Sequence, residues 1–194
     1  MKRCLIILLL VVLSANLFAQ SNERKGFIGI TLGPSMPIGD FGNQSLSNFN
    51  AGFAKTGLNI SLINFGYRFG TNFGIAGTWF GAANPVNINN VTATWSYGSL
   101  MVGPMLTFPI NKKLDFDLKG MIGYVSAKMD LDNFGETSLT GVGFDFGTAL
   151  RYNFSERWCL LFNADYFSSN SKSDDGKQKI AAINLAFGVG YRLR

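Results

Sequence analysis

The feature that most constrains this 194-residue chain is a regular alternation of apolar and polar residues, which begins near residue 26 and runs to the end. It forms eight runs of about ten residues each, joined by three short turns and four longer polar stretches in strict alternation. A period of two residues indicates β-strands, because successive side chains of a strand point to opposite faces. The predicted fold class is therefore all-β, an eight-stranded antiparallel up-and-down transmembrane β-barrel.

The eight predicted strands differ in how regular they are. Their bounds are 26–35, 57–69, 72–83, 93–110, 114–128, 141–154, 157–168 and 183–193. In the second of these, the apolar positions change from even to odd numbers, which predicts a bulge near Asn64 to Gly66 because one extra residue reverses the facing. Pro104 lacks an amide hydrogen, so a bulge or an unpaired position is expected there.

The connections set the orientation of the predicted barrel. Residues 70–72, 111–113 and 155–156 form the short turns, and residues 36–56, 84–92, 129–139 and 169–177 form the longer loops. Short turns on the periplasmic side and long loops outside are typical of outer-membrane barrels. Outward residues are even-numbered on strands four to seven, so the turns near residues 112 and 155 must each have odd length, about three residues.

The cost of burying charge decides which face meets lipid. An Arg or Lys facing the bilayer midplane costs roughly 2–4 kcal/mol, so the charged faces of the strands are expected to point into the lumen. A lipocalin-like soluble barrel would reverse this arrangement, with an apolar interior. Aromatic residues near strand ends are expected to form interfacial girdles: Trp79, Trp95, Tyr97, Tyr124, Trp158, Tyr166 and Tyr191.

The N-terminus has the pattern of a secretory signal peptide. Lys2 and Arg3 precede nine apolar residues, and a more polar segment ends at Ala19, after which we expect cleavage. A spanning helix would need about 20 apolar residues. Residues 1–19 are thus the predicted signal peptide and residues 20–194 one barrel domain. Cleavage removes two positive charges and lowers the net charge from +5 to +3.

The composition argues against several classes of chemistry. The chain has no histidine, and Cys159 is the only cysteine of the predicted mature domain. A histidine base beside a nucleophile is therefore absent, as are paired metal ligands, so we predict no enzyme activity, no cofactor and no metal site. The positive charges form no Lys/Arg stripe, which argues against a nucleic-acid partner.

The best candidates for a role are charges predicted to face the lumen. This network comprises Asp115, Asp117, Lys119, Asp145, Arg151, Asp165 and Arg192. It would act as a salt-bridged plug or, alternatively, as a gate or narrow polar conduit. Strand parity places Asp145 and Asp165 on adjacent strands, opposite each other or one diagonal step apart. We expect a basic residue from an extracellular loop to bridge them; proton sharing and a bound cation are the alternatives.

The two ends of the domain resemble a known family. Residues 26–41 contain GFIGITLGPS followed by PIGDF, and the chain ends in AFGVGYRLR. These segments resemble the first and last strands of small outer-membrane barrel proteins of the OmpA/OmpX type, in particular the porin-like family abundant in Bacteroidetes. The ending departs from the usual terminal aromatic residue. The resemblance implies outer-membrane lipid, lipopolysaccharide and the assembly machinery as partners, and it carries over no catalytic or binding residue.

Two functions remain open at this point. The first is a structural or surface-interaction protein with a filled lumen and an unidentified loop partner; the second is a small porin-like channel for ions or small solutes. Eight strands favour a filled interior, because porins use 16–18. The first loop carries Phe41, Leu46, Phe49 and Phe53, which predict either a contact site or a loop folded onto the barrel mouth.

Overall fold

The structure is a computed structural model that describes residues 24–88, 91–131, 135–173 and 176–194. The predicted signal peptide, residues 1–19, lies outside these ranges. Within them, no helix has the length and hydropathy needed to span a bilayer.

Eight antiparallel strands form a closed barrel in chain order, with β1 paired to β8, as predicted. The strands are β1 (Gly26–Pro37), β2 (Gly57–Arg68), β3 (Phe73–Ile88), β4 (Val91–Asn111), β5 (Leu114–Leu131), β6 (Gly135–Tyr152), β7 (Trp158–Lys172) and β8 (Lys177–Leu193). A short helix, α1 (Gly39–Gly42), follows β1. Each strand pairs with its sequence neighbours, so every connection is a simple up-and-down link.

The bulge of β2 lies earlier than predicted. The register with β3 shifts between Ser61 and Ile63, so Leu62 and Ile63 both face outward. We expected the shift at Asn64 to Gly66, because Phe65 is the first aromatic residue on the new face. That prediction was wrong, because the change of facing begins at Ile63, two residues before Phe65.

Pro104 causes no bulge, and the alternative prediction, an unpaired position, applies to its β5 side. The register between β4 and β5 runs from the Val102–Ile122 pair to the Met105–Lys119 pair without a shift, and Pro104 lies in the interval between them.

The turn between β4 and β5 has the predicted parity, although its form differs from the three-residue turn that we expected. Two residues, Lys112 and Lys113, connect the strands, and a register shift between Pro109 and Asn111 supplies the extra residue.

Three of the four predicted extracellular loops are extended strands instead. The connections between β3 and β4, β5 and β6, and β7 and β8 shorten to residues 89–90, 132–134 and 173–176. Strands of 15 to 21 residues exceed the 9–11 or so needed to cross a bilayer, so they project beyond it. The Asn, Ser and Thr residues of these segments indicated loops, but such residues are equally common in a strand that projects from the membrane and faces water.

The outer surface carries a belt of large apolar side chains. On β5, for example, the even-numbered Leu118, Ile122 and Tyr124 are exposed, while the odd-numbered Lys119, Met121 and Val125 are buried. A soluble protein does not expose an apolar surface that surrounds the whole molecule, so this belt faces lipid. The lipocalin-like alternative is thereby excluded.

The aromatic girdles are confirmed for five of the seven predicted residues. Trp79, Tyr124, Trp158, Tyr166 and Tyr191 are 38–59% exposed on the outer surface. Trp95 and Tyr97 are only 5% and 3% exposed and face the lumen, so their assignment was wrong. Both occupy odd positions of β4, whose even positions face lipid. The facing of an aromatic residue is therefore decided by its position in the alternation and not by its distance from the strand end.

Candidate functional site

The lumen charges form two layers, of which the central one contains Lys119, Asp145 and Asp165. The Lys119 ammonium lies 3.1 Å from Asp165 Oδ1, and both side chains are largely buried. Lys119 on β5 and Asp165 on β7 are each paired with Gly147 of β6, which lies between them. A Cβ on Gly147 would collide with Asp165 Oδ1, so the glycine makes this ion pair possible.

Asp145 lies one diagonal step from Asp165, because it is paired with Phe167 while Asp165 is paired with Gly147. This confirms the predicted parity. The expected bridge from an extracellular loop was wrong, since the basic residue beside this pair is Lys119 from inside the barrel, and it forms an ion pair with Asp165 alone. The sequence placed Lys119 in the lumen network but did not pair it with Asp165, because only the register shows that the two lie level with each other across Gly147.

The central layer has more acceptor oxygens than donors. Among the oxygens of this layer, Asp165 Oδ1 faces the Lys119 ammonium, whereas Asp145 Oδ1 and Asn184 Oδ1 are buried without a hydrogen-bond partner. Their side chains line one small cavity of about 10 Å³, which is roughly large enough for a single water molecule. Two carboxylates face one ammonium here, so Asp145 lacks an ion-pair partner of its own among these three groups.

The second layer lies toward the periplasm around Arg151. Its guanidinium lies 3.1 Å from Asp115 Oδ2 and 3.5 Å from Asp117 Oδ1. The Thr107 hydroxyl donates to Asp117 Oδ1 at 2.6 Å, and the Arg151 guanidinium also stacks 4.7 Å from the ring centre of Phe27. Sequence reasoning missed Thr107 and Phe27, because neither carries a charge, although their inward parity is readable.

Two arginines lie at the periplasmic mouth. Arg192 is half-buried, and its guanidinium donates to the carbonyl oxygens of Ser155 at 3.1 Å and Glu156 at 3.4 Å. It therefore binds the turn between β6 and β7 rather than a carboxylate of the predicted network. Arg68 is 7% exposed and donates to the Thr71 carbonyl at 3.0 Å. It was not predicted, although its parity, opposite to that of Tyr67, could have revealed it.

The extracellular half of the lumen is filled by aromatic rings. Tyr97 and Phe167 stack with ring centres 5.4 Å apart and nearly parallel planes. Phe80 meets Phe167 edge-on at 5.2 Å, and Phe41 caps Tyr97 from above at 5.9 Å. Stacked and edge-on rings are favoured arrangements for aromatic pairs. Salt bridges and aromatic rings thus occupy successive levels of the lumen.

The first loop forms a lid over the extracellular mouth; we use this name for residues 38–56. Its two ends bond to different strands: Ile38 N–H donates to the Ala181 carbonyl and Lys55 N–H to the Pro85 carbonyl. Within the lid, Gly39 adopts a φ of +59°, which favours glycine, and starts α1. The Trp95 indole N–H, from inside the barrel, donates to the Gly52 carbonyl at 2.9 Å.

The four apolar residues of the lid divide into two pairs. Phe41 is fully buried and Phe53 packs partly buried against the core, so this pair folds onto the mouth. Leu46 is 70% exposed and Phe49 is fully exposed. Both alternatives considered for this loop therefore apply, each to a different part of it. We call residues 44–50, which carry Leu46 and Phe49, the tip.

The described residues offer little for catalysis or metal binding. No three His, Cys, Asp or Glu side chains among them lie close enough to hold a metal ion. Three of the four lumen carboxylates, at Asp115, Asp117 and Asp165, form ion pairs, and the fourth, Asp145, is buried away from both mouths. What the arrangement provides is crosslinking of strands across a filled interior.

Comparisons with solved structures agree with the fold. The barrel is similar to Neisserial surface protein A, at 14% identity and a TM-score of 0.61, over 87% of this chain and 97% of that one. It is also similar to Ail, the attachment invasion locus protein of Yersinia pestis, at 21% identity and a TM-score of 0.50, over 87% and 99% of the two chains. A second structure of Ail, bound to the heparin analogue sucrose octasulfate, matches at 20% identity and a TM-score of 0.51, over the same shares.

The sequence itself also matches a family. No curated protein matches this chain. The model of the outer membrane protein beta-barrel domain family, however, matches residues 5–192, nearly the whole chain. Together with the closed eight-stranded barrel and its lipid-facing belt, this match establishes that the chain belongs to the outer membrane protein beta-barrel domain family and lies in the outer membrane of a Gram-negative bacterium.

Proposed function

We propose that this protein is a non-enzymatic surface-interaction protein that presents the tip of its lid to partners outside the cell. The observation that carries the proposal is the exposure of Leu46 and Phe49 on a loop whose base is fixed to the barrel. Large apolar side chains that are exposed together on one loop are typical of a protein interaction site. A base anchored on two strands also lowers the entropy lost on binding, because the tip is already positioned.

The lid itself supports a positioning role. Asn48 donates from its side chain to Asp40 Oδ1 at 3.2 Å, and Gly52 N–H donates to the Asp40 carbonyl at 2.8 Å. Gln178 of β8 donates to the Asn50 carbonyl at 3.2 Å. The tip is therefore tied both to α1 and to the wall of the barrel, which keeps its apolar side chains turned outward.

The absence of histidine from the sequence supports the non-enzymatic part of the proposal. The expected partners also include outer-membrane lipid, lipopolysaccharide and the assembly machinery, alongside the partner of the tip. Because the similar barrel Ail binds a heparin analogue, a sulfated glycan belongs among the partners to be tested.

Changing the tip is expected to weaken partner binding. In the variant Leu46→Ser/Phe49→Ser, cells should lose at least about ten-fold in retention of whatever the wild type captures from envelope extracts, host-surface extracts or immobilised heparin. Each apolar anchor buried at an interface contributes about 1 kcal/mol or more to the binding free energy. Removing two of them therefore weakens binding by at least about ten-fold. Crosslinking on intact cells followed by mass spectrometry measures it.

The matched control is Ser45→Ala/Ser47→Ala, which alters the same tip without changing its apolar side chains. This variant should bind as the wild type does. Identical partner sets for the wild type and Leu46→Ser/Phe49→Ser would contradict the proposed contact role.

The alternative function, a small channel, predicts an opposite electrical result. Wild-type protein in a planar bilayer is expected to give no stable conductance steps, because the Tyr97–Phe167 stack and the Lys119–Asp165 pair both occupy the lumen. An eight-stranded barrel has an interior just wide enough for such side chains. Reproducible single-channel steps, absent from protein-free controls, would favour the channel instead.

A further inference from the structure

The central layer of the lumen carries an excess of one negative charge. Lys119 forms its ion pair with Asp165, and the third charged side chain that lines the same cavity is that of Asp145. Asp145 is only 3% exposed. A buried charge is costly unless an opposite charge or a proton neutralises it, so the layer has a demand that Lys119 alone does not meet.

An uncharged side chain presents a second oxygen to the same cavity. Asn184 of β8 is paired directly with Asp165 of β7, and Asp145 of β6 lies one diagonal step from Asp165. Asn184 is 4% exposed, and its Oδ1, like Asp145 Oδ1, has no hydrogen-bond partner. Two buried acceptor oxygens therefore line one space in which the described residues supply no donor to either of them.

Other strands add oxygens to this cavity. Ser61 and Asn64 of β2 and Thr78 of β3 also line it, and each is at most 8% exposed. The Thr78 hydroxyl donates its hydrogen to the Ile63 carbonyl at 3.1 Å, so its lone pairs remain available to a positive group. Carboxylate, amide and hydroxyl oxygens are the ligands that hard cations prefer.

We propose that the central layer binds one monovalent cation of the size of sodium, held by Asp145 Oδ1 and Asn184 Oδ1. The layer has a single excess negative charge, so one monovalent ion makes it neutral. The cavity of about 10 Å³ accepts a single particle of the size of a water molecule, which a dehydrated sodium ion matches. Magnesium usually keeps several waters, and calcium takes about six to eight oxygens, so neither suits this space.

The ion joins β6 to β8 across β7, just as the Lys119–Asp165 pair joins β5 to β7 across β6. Because it uses one carboxylate together with amide and hydroxyl oxygens, the site does not require the cluster of three acidic or sulfur ligands that the described residues lack. A ligand that binds only the folded state stabilises it, so sodium should make the barrel harder to unfold.

The test is equilibrium unfolding in urea from vesicles of zwitterionic phosphatidylcholine, in sodium, caesium or choline chloride at one ionic strength and one pH. In sodium, the unfolding equilibrium constant of the wild type should be at least about five-fold lower than in the other two salts, provided that sodium exceeds its dissociation constant several-fold. Caesium has the charge of sodium but is too large for the cavity, so it controls for screening. At equilibrium the chain folds around the ion, which therefore need not enter a closed barrel.

Three variants locate the effect. Asp145→Asn removes the charged ligand, and its new amide can donate to Asn184 Oδ1 in place of the ion; Asn184→Ala removes the other oxygen. Each of these two variants should have the same stability in all three salts. Asp130→Asn removes an equal charge from an exposed position near the outer end of β5, so this matched control should respond to sodium as the wild type does.

Equal stability of the wild type in the three salts would overturn the proposal, because a water molecule or a shared proton would then satisfy the layer. A sodium response that persists in Asp145→Asn or Asn184→Ala would also overturn it, because the ion would then bind elsewhere. The tip of the lid is unchanged in every variant, so neither result bears on the proposed contact role.

Discussion

Replacing Asp165 with Asn is expected to lower the free energy of unfolding by about 3–5 kcal/mol, whereas Asp145→Asn should leave it unchanged or raise it. Asp165 neutralises the Lys119 ammonium at 3.1 Å, so its loss leaves a buried cation without its partner. Asp145 has an unpartnered Oδ1, and an amide there could donate to the unpartnered Asn184 Oδ1, which lines the same cavity. Denaturant unfolding of each variant from lipid vesicles, followed by tryptophan fluorescence, measures both values.

A second pair of variants separates the ion pair from a general effect of the substitution. Gly147→Ala should destabilise the protein in the same direction as Asp165→Asn, because its Cβ occupies the space of Asp165 Oδ1. Removing both charges with Lys119→Met/Asp165→Asn should cost less than the sum of the single changes. If Asp145→Asn proves as costly as Asp165→Asn, the assignment of the Lys119 partner is wrong.

Phe41→Ala is expected to destabilise closure of the lid by about 3–5 kcal/mol, the usual cost of removing a fully buried phenylalanine. Phe41 is fully buried and meets the rings of Trp95 and Tyr97, each with ring centres 5.9 Å apart. Because a lid can open without unfolding the barrel, the change should appear locally. Exchange of the Gly52 and Ala54 amides, which donate to the Asp40 and Phe41 carbonyls, should become roughly 150- to 5,000-fold faster.

Phe49→Ala provides the control in the same loop. Phe49 is fully exposed, so its truncation removes no packing and should leave amide exchange in the lid unchanged. Equal acceleration in both variants would show that Phe41 does not hold the lid onto the mouth.

Alternation alone predicted the barrel, the strand order and the facing of most side chains. The reason is physical: charge on the lipid side is costly, so residues such as Asp117 and Arg151 reveal the inward face of their strands. The parity argument extended to the connections, where the register between β6 and β7 set Asp145 and Asp165 one diagonal step apart as expected.

Other features depend on contacts that a single strand cannot reveal. Lys119 reaches Asp165 only because a third strand presents Gly147 between them, so the pair appears only when three registers are combined. The outer ends of β3 to β8 resembled loops, because the membrane constraint on outward residues ends where water begins. Trp95 was misplaced because an aromatic ring suits a girdle and a buried plug equally well.

The anchoring of the lid has a consequence for neighbouring molecules in a crowded membrane. β1 ends at Pro37 and β2 begins at Gly57, whereas β8 and β3 on either side continue outward. The gap would expose two strand edges, and bare edges invite pairing with other chains. Ile38 bonds to the edge of β8, while Lys55 and the Ala54–Val86 bridge cover that of β3. The lid thus completes the projecting wall, and adjacent copies of the barrel meet a surface that offers them no edge at this gap on which to build a shared sheet.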